Sequence, residues 1–241
     1  MKKTELMLAL DVKNLPQAEK ILKKLKGIVR HYKIGPVLFT ACGPESIKLA
    51  RKYGGRVFLD LKFHDIPNTV KNAVEQARKA GVYAVSVHIS GGIEMLNACM
   101  SLEKRPKLWG ITALTSFDEK SFSKLGFKNS IGKVINNFAK VAAGAGIDGI
   151  VCSGLEAGRI KKRFGKKLEV IVPGIRLSGA KHDRNSASGA TGVGGYADDQ
   201  KRTITPQDAA RLGADFIVVG RPVLEAANPV SAAKSILEEL Q

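Results

Sequence analysis

The chain has 241 residues, 44% hydrophobic and 25% charged, which is typical of an ordinary globular protein. Its net charge of +17 raises nucleic-acid binding as a hypothesis. The basic residues are spread along the chain, however, and no zinc-finger, RNA-recognition or basic-zipper pattern is present. We therefore expect no nucleic-acid partner and favour attraction of small anionic molecules. The charge exceeds what one such molecule requires, and the sequence does not explain the excess.

No apolar run reaches the roughly 18 residues that a membrane-spanning helix needs. The apolar run from Leu6 to Leu10 is below or at the lower length limit of a signal-peptide core. Asp11 ends the run, and no small-residue cleavage site follows it. We expect a cytoplasmic protein without membrane association. The three cysteines and four histidines show no ligand spacing, so neither a disulfide framework nor a metal site is expected.

The chain alternates short apolar runs, typical of strands, with amphipathic stretches, typical of helices. The predicted strands are 6–12, 32–34, 56–62, 84–88, 108–114, 149–152, 168–172 and 216–219. A helix is predicted after each strand, among them 16–26, 44–54, 66–80, 92–102, 130–143 and 229–240. Before the eighth strand, Thr205 reads as an N-cap followed by Pro206 at the first helical position.

Eight strand–helix repeats in 241 residues favour a single α/β domain over 1–241, a (β/α)8 TIM barrel. The alternative is a doubly wound open sheet. No glycine-rich dinucleotide fingerprint follows the first strand, which disfavours that alternative. The long segment at about 174–204 is rich in glycine and charge and has no sustained period, so we predict a functional lid loop there.

Barrel enzymes build their sites at the carboxyl ends of the strands. The polar residues at the predicted strand ends are Asp11, Lys33, Asp60, Lys62, His88, Thr115, Ser116, Arg176, Gly220 and Arg221. Each has a plain structural alternative, such as a helix cap, a turn residue or a core histidine. Together they favour a site, because several charges at neighbouring strand ends do not suit a packed core.

The stretch from Asp60 to Thr69 has the highest density of acidic, basic and hydroxyl side chains among the predicted strand ends. In an extended strand Asp60 and Lys62 share a face, and a turn would swing Asp65 back towards the lysine. A lysine between two carboxylates is poised to donate a proton. A surface salt-bridge cluster is the alternative. Separately, Gly220 and Arg221 follow the eighth strand, where barrels frequently bind phosphate.

These residues carry a resemblance to the orotidine 5′-phosphate decarboxylase family, in its shorter bacterial form. The matching motifs run in family order along nearly the whole chain and end with a lid segment and a phosphate segment. They are Ala9-Leu10-Asp11, Lys33-Ile34-Gly35, Asp60 to Val70, Leu114-Thr115-Ser116, Pro173-Gly174-Ile175-Arg176, Gln200-Lys201-Arg202 and Gly220-Arg221-Pro222.

The resemblance implies a barrel homodimer that converts orotidine 5′-phosphate to UMP, the last step of de novo pyrimidine synthesis, without metal or organic cofactor. Lys33, Asp60, Lys62 and Asp65 match an alternating charge network, in which Lys62 is the proton donor to pyrimidine C6. Asp60 matches the carboxylate beside the departing CO2.

The remaining matches imply how substrate is held. Asp65, Ile66 and Thr69 match residues that reach the neighbouring subunit's site. The ribose positions are Asp11, Lys33, Asp65 and Thr69; the pyrimidine positions are Thr115 and Ser116; the phosphate positions are Gln200, Gly220 and Arg221; and Arg176 matches a further ligand position.

Two alternatives stay open. Metal-dependent members of the same barrel group, such as 3-keto-gulonate 6-phosphate decarboxylase and hexulose-phosphate synthase, share the D-x-K-x-x-D pattern. A basic, non-enzymatic nucleic-acid binder is the second.

Overall fold

The computed structural model describes residues 3–177 and 202–241. Most of the segment predicted as a lid, including Gln200, lies outside these residues. Within the described ranges, no helix is long and apolar enough to cross a membrane.

Eight parallel strands close into a barrel in sequence order, and β1 pairs with both β2 and β8. This confirms the predicted (β/α)8 class. The strands are β1 Glu5–Ala9, β2 His31–Ile34, β3 Arg56–Phe63, β4 Ala84–His88, β5 Lys107–Ile111, β6 Gly149–Val151, β7 Glu169–Val172 and β8 Phe216–Val219.

Helices surround the barrel and connect successive strands. They are α1 Leu15–Leu25, α2 Pro36–Cys42, α3 Pro44–Lys52, α4 Pro67–Lys79, α5 Gly92–Met100, α6 Glu119–Ser123, α7 Ile131–Ala145, α8 Gly154–Phe164, α9 Pro206–Arg211, α10 Arg221–Leu224 and α11 Pro229–Glu239. The Thr205 side chain accepts a hydrogen bond from Asp208 N, which confirms the predicted cap of α9.

Three short helices, α2, α6 and α10, were not predicted. Seven, five and four residues are too few to show a helical period. The sequence carried other signals: Pro36 stands at the start of α2, and Asp118 forms a capping box with Ser121 at the start of α6.

Two predicted strands were too long at their carboxyl ends. β1 ends at Ala9 rather than Val12, and β5 ends at Ile111 rather than Leu114. The apolar pattern runs on because Leu10 and Ala113 remain buried after the strand pairing has ended. Asp11 and Thr115 therefore lie on loops at the barrel rim, where side chains have more freedom than on a strand.

The barrel interior has its own apolar cluster, separate from the layer between strands and helices. Its large members are Met7, Phe58, Trp109, Ile171 and Phe216. Trp109 packs against Phe58 and Phe216 with ring centroids 4.6 and 5.1 Å apart. This cluster fills the interior below the strand ends, so the carboxyl-end pocket has a packed floor.

Candidate active site

A cavity of about 1150 Å³ opens at the carboxyl ends of the strands. Most of the described residues predicted for the site line it. They are Asp11, Lys33, Asp60, Lys62, Thr115, Ser116, Arg176, Gly220 and Arg221. The structure thus brings together residues that are up to 210 positions apart in sequence, as the barrel hypothesis requires.

Acidic and basic side chains alternate along one side of this cavity. Lys62 Nζ donates to Asp60 Oδ2 at 2.9 Å, and Lys33 Nζ lies 3.7 Å from the same oxygen. Lys33 Nζ also donates to Asp11 Oδ1 at 3.2 Å. The order is therefore Asp11, Lys33, Asp60, Lys62, with two ammonium groups on one carboxylate oxygen.

Asp60 is buried, with 7% of its surface exposed. Burial alone would raise the pKa of its carboxyl group, but Lys33 and Lys62 outweigh burial and hold that pKa below its usual value. Its second oxygen, Oδ1, is buried and accepts no hydrogen bond. The result is a buried, ionised carboxylate that is paired with two lysines.

Regular strand alternation does not explain how Lys62 reaches Asp60. Leu59 pairs with Val85 and Phe63 pairs with Val87, so the register shifts between these pairs. Within the shift, Lys62 has φ 53°, in the left-handed region that residues other than glycine rarely adopt. The predicted Lys62–Asp60 pair is present, but it forms at a register shift and not along a regular strand.

The predicted return of Asp65 towards Lys62 within the same chain is wrong. Asp65 Oδ1 instead accepts from the backbone N of Ile66 at 2.7 Å, because Pro67 starts α4 and turns the chain outward. Asp65, Ile66 and Thr69 are exposed and do not line the cavity. These three side chains therefore form no part of the cavity wall in this structure.

Gly35 permits the close approach of Lys33 and Asp11. A side-chain Cβ at position 35 would lie 3.0 Å from Lys33 Nζ and 3.3 Å from Asp11 Oδ1. The glycine of the Lys33-Ile34-Gly35 motif therefore keeps room beside the charged groups. Substitution there would displace the lysine or the aspartate.

Next to the charged row, β8 ends and Gly220 precedes the short helix α10, which begins with Arg221. A Cβ at Gly220 would lie 3.8 Å from Asp11 Oδ2, so the end of β8 adjoins this row. Arg176 Nη1 donates to Ile175 O at 2.9 Å. The cavity therefore has its lysine–aspartate pairs at the ends of β1 to β3 and two arginines after β7 and β8.

The chain that follows the predicted lid is anchored to the barrel. Ile204 N donates to Gly174 O at 3.2 Å, and Arg176 N donates to Ile204 O at 2.9 Å. Arg202 forms a buried ion pair with Glu156 at the start of α8. These contacts fix the backbone on both sides of the segment that the structure leaves undescribed.

His88 does not line the cavity, although it stands at the end of β4. Its ring centroid lies 5.2 Å from that of His64. Burial, then the neighbouring His64 and Lys62, lower its pKa. Among the described residues, no group of three or more histidine, cysteine, aspartate or glutamate side chains is placed to hold a metal ion.

Sequence reasoning missed several residues near the site. Lys13, Gln17, Lys20 and Lys24 line the cavity from an exposed face of α1 and the loop before it. Their spacing of three to four residues marks one helix face and was an available signal. Ser86, a buried hydroxyl within the apolar strand β4, accepts a hydrogen bond from Lys62 N at 2.8 Å.

The chain is similar to known proteins along nearly its whole length. Residues 4–236 match the model of the Orotidine 5′-phosphate decarboxylase / HUMPS family. An orotidine 5′-phosphate decarboxylase of Geobacter sp. (strain M21) is 39% identical, over 98% of this chain and 95% of that protein. One of Legionella pneumophila is 38% identical, over 98% and 99%.

The chain is also similar to solved structures along nearly its whole length. The orotidine 5′-phosphate decarboxylase of Lactobacillus acidophilus superposes with a TM-score of 0.80 at 31% identity, covering 99% of both chains. The enzyme of that name from Pyrococcus horikoshii OT3 superposes with a TM-score of 0.77 at 28% identity, covering 98% of both.

Proposed function

The chain belongs to the Orotidine 5′-phosphate decarboxylase / HUMPS family, and from that premise we propose how it acts. It is a carboxy-lyase that decarboxylates orotidine 5′-phosphate to UMP, and it needs neither metal nor organic cofactor. Curated relatives at 36–39% identity over nearly the full chain carry this decarboxylase name. That supports the nucleotide substrate over the sugar phosphates of the metal-dependent alternatives.

The observation that carries the mechanism is the contact between Lys62 Nζ and Asp60 Oδ2 at 2.9 Å, on the cavity side of a packed barrel. Loss of CO2 from C6 of the pyrimidine leaves carbanion character that no adjacent carbonyl delocalises. The Lys62 ammonium stabilises this charge as it develops and then protonates C6. Preorganised charge of this kind is usually the largest catalytic contribution.

Asp60 acts on the substrate carboxylate rather than on the proton. Lys33 and Lys62 keep Asp60 ionised, so a substrate carboxylate placed beside it would meet a second negative charge. The repulsion is relieved as CO2 leaves. Lys33 holds Asp60 ionised and, with Asp11, is placed to bind ribose hydroxyls.

The substrate phosphate binds at the end of β8, where Gly220 allows close backbone approach and Arg221 supplies several donors. Gln200, outside the described residues, is proposed to join them, with Arg176 as a further ligand contact. Thr115 and Ser116 line the cavity and are assigned to the pyrimidine. Phosphate binding remote from C6 supports the chemistry by driving closure of the predicted lid.

The working unit is a cytoplasmic homodimer of single-domain barrels with shared sites. Ile66 is 67% exposed, and Val37 and Ile93 are also exposed apolar residues. They lie at the starts of α4, α2 and α5, after three neighbouring strands. A partner covering this rim would bring its own Asp65, Ile66 and Thr69 to the cavity, which their own chain leaves unused.

Ultraviolet absorbance of orotidine 5′-phosphate tests the activity. We expect its loss, with UMP formed, in buffer containing excess chelator. Turnover that requires an added divalent metal, or turnover of a sugar phosphate instead, would favour the metal-dependent alternatives. No turnover, together with salt-dependent binding of generic DNA or RNA, would favour the nucleic-acid binder.

A further inference from the structure

Ser86 lies at the break in strand pairing beside the reacting groups. Leu59 pairs with Val85 and Phe63 pairs with Val87, so three residues of β3, from Asp60 to Lys62, lie opposite Ser86 alone. Ser86 is fully buried, and it is the polar residue of an otherwise apolar run in β4. A hydroxyl in that position has to find partners inside the protein.

One partner is the backbone of Lys62. In a regular ladder Lys62 N would donate to a carbonyl of the neighbouring strand, but the break removes that acceptor. Ser86 Oγ accepts the bond instead, at 2.8 Å. Lys62 has φ 53°, and a conformation of that kind persists only where surrounding contacts over-determine it.

Asp60, the ion-pair partner of Lys62, lies in the same break in strand pairing, between Leu59 and Phe63. After the larger effects of burial and the two lysines, the Ser86 hydroxyl lowers the pKa of the Asp60 carboxyl group. A serine hydroxyl accepts and donates at the same time, so while Oγ accepts from Lys62 N, its hydrogen remains available to a neighbouring acceptor. Ser86 therefore bonds to the backbone of one member of the pair and lies on the strand next to the other.

We propose that Ser86 is a positioning residue for the reaction, whose hydroxyl holds the Lys62 backbone in the conformation that sets Lys62 Nζ against Asp60. This inference rests on the proposed function, because it takes Lys62 to be the proton donor. Ser86 touches no substrate. It acts through Lys62, and removing its hydroxyl frees the lysine to move away from the reacting carbon.

Replacing Ser86 with alanine tests the proposal. We expect kcat for orotidine 5′-phosphate to fall about tenfold or more, since small misplacements of reacting groups are costly. The affinity for UMP should change less than about twofold, because binding groups on the other walls are untouched. An unchanged kcat in a folded Ser86→Ala protein, or an equal loss in kcat and in UMP affinity, would overturn the proposal.

Two further substitutions separate the hydroxyl from the shape of the side chain. Threonine and valine are nearly the same size, but only threonine has a hydroxyl. Ser86→Thr should keep more activity than Ser86→Val by about the factor that the alanine variant loses. Equal losses in the two variants would show that packing, and not the hydrogen bond, is what matters at this position.

Thr112→Val is the matched control for loss of a buried hydroxyl in the same barrel. Thr112 Oγ1 donates to Val151 O at 2.7 Å and touches neither lysine nor aspartate of the pair. This variant should lose stability while its kcat stays within about twofold of the wild type. A tenfold loss of kcat here would mean that any such deletion damages the site.

Hydrogen exchange at the Lys62 amide separates failure of this inference from failure of the proposed function. The amide should be protected in the wild type and exchange faster in Ser86→Ala, whatever reaction the enzyme performs. If the wild type lacks decarboxylase activity but this difference is present, the proposed function fails and the positioning contact stands. If the wild type is active and Lys62 exchange is the same in both proteins, the inference fails.

Discussion

The two ends of the barrel differ in how their charged side chains are paired. At the amino end of the strands, His31 Nε2 lies 2.9 Å from Glu5 Oε2, and Glu169 takes bonds from Lys107 and Trp109. At the carboxyl end, two lysines share one oxygen of Asp60 and leave the other without a donor. The first end pairs its acidic groups with single basic or donor groups, although His31 Nδ1 has no partner, whereas the second places two lysines on one carboxylate beside a cavity.

We expect the residues that matter most for stability to lie at the amino end of the barrel and those that matter most for turnover to lie at the carboxyl end. Aromatic and aliphatic side chains fill the amino end, and changes there should affect unfolding more than turnover. Charges at the carboxyl end should affect turnover more than unfolding, since they line the cavity in which the substrate is proposed to bind.

Lys62→Ala should lower kcat by about 10⁴-fold, because both the charge stabilisation and the proton donor are removed. Binding of UMP should persist, which calorimetry would show. The protein should remain folded, since the lysine is at the rim. Turnover within tenfold of the wild type would remove Lys62 from the role of proton donor.

Arg221→Ala should weaken UMP binding by about 10- to 100-fold, the usual cost of losing charged hydrogen bonds. Arg211→Ala is the control, because Arg211 is an exposed arginine on α9 paired with Asp208. Titration calorimetry compares the two. An equal affinity for UMP in both variants would move the phosphate away from the eighth strand.

Mixing Asp65→Ala and Arg221→Ala subunits, at a substrate concentration where each variant alone shows little turnover, should restore activity if sites are shared. Random exchange makes half the dimers mixed, and each mixed dimer has one intact site, so about a quarter of wild-type activity is expected. Activity is measured after subunit exchange has been confirmed with labelled chains. No recovery after exchange would place Asp65 outside the partner's site.

Trp109→Ala should destabilise the fold by about 3–5 kcal/mol, since it empties the interior cluster and leaves Glu169 without one donor. Urea unfolding measures the change. At temperatures where the variant stays folded, kcat should remain close to that of the wild type. A large loss of kcat with unchanged stability would contradict the division between the two ends.

His31 should make stability depend weakly on pH. Burial lowers the pKa of its imidazole, against the raising effect of Glu5. The unfolded chain therefore binds a proton more readily than the folded one, and stability should fall as pH drops below about 6.5. Urea unfolding of the wild type and His31→Gln between pH 5 and 7.5 compares the slopes. Equal slopes would exclude His31 as the source.

How much the sequence predicts differs from residue to residue. Strands such as 84–88 and 216–219 were predicted with the bounds that the structure shows, because buried parallel strands are continuous apolar runs between clear turns. Asp11 and Thr115 were placed at strand ends but lie on loops, since buried residues continue past the pairing. An apolar sequence pattern indicates which residues are buried. It does not indicate where the hydrogen bonding between strands ends.

The geometry around Lys62 shows a deeper limit. Strand alternation predicted its contact with Asp60, yet the contact depends on a left-handed backbone and a hydroxyl on the next strand. Both arise from pairing between distant segments. The same holds for Asp65, whose outward turn at Pro67 a single chain's sequence does not reveal. Residue types indicate chemistry, whereas register and partner contacts determine geometry.

A crystal structure with UMP bound tests the central claim most directly, through the distance from Lys62 Nζ to C6 of the pyrimidine. We expect this distance to be about 3 Å, within reach for proton transfer, with the phosphate at Arg221 of the same chain. A pyrimidine bound with C6 far from Lys62, or a nucleotide outside this cavity, would contradict the assignment of the Asp60–Lys62 pair as the reacting centre.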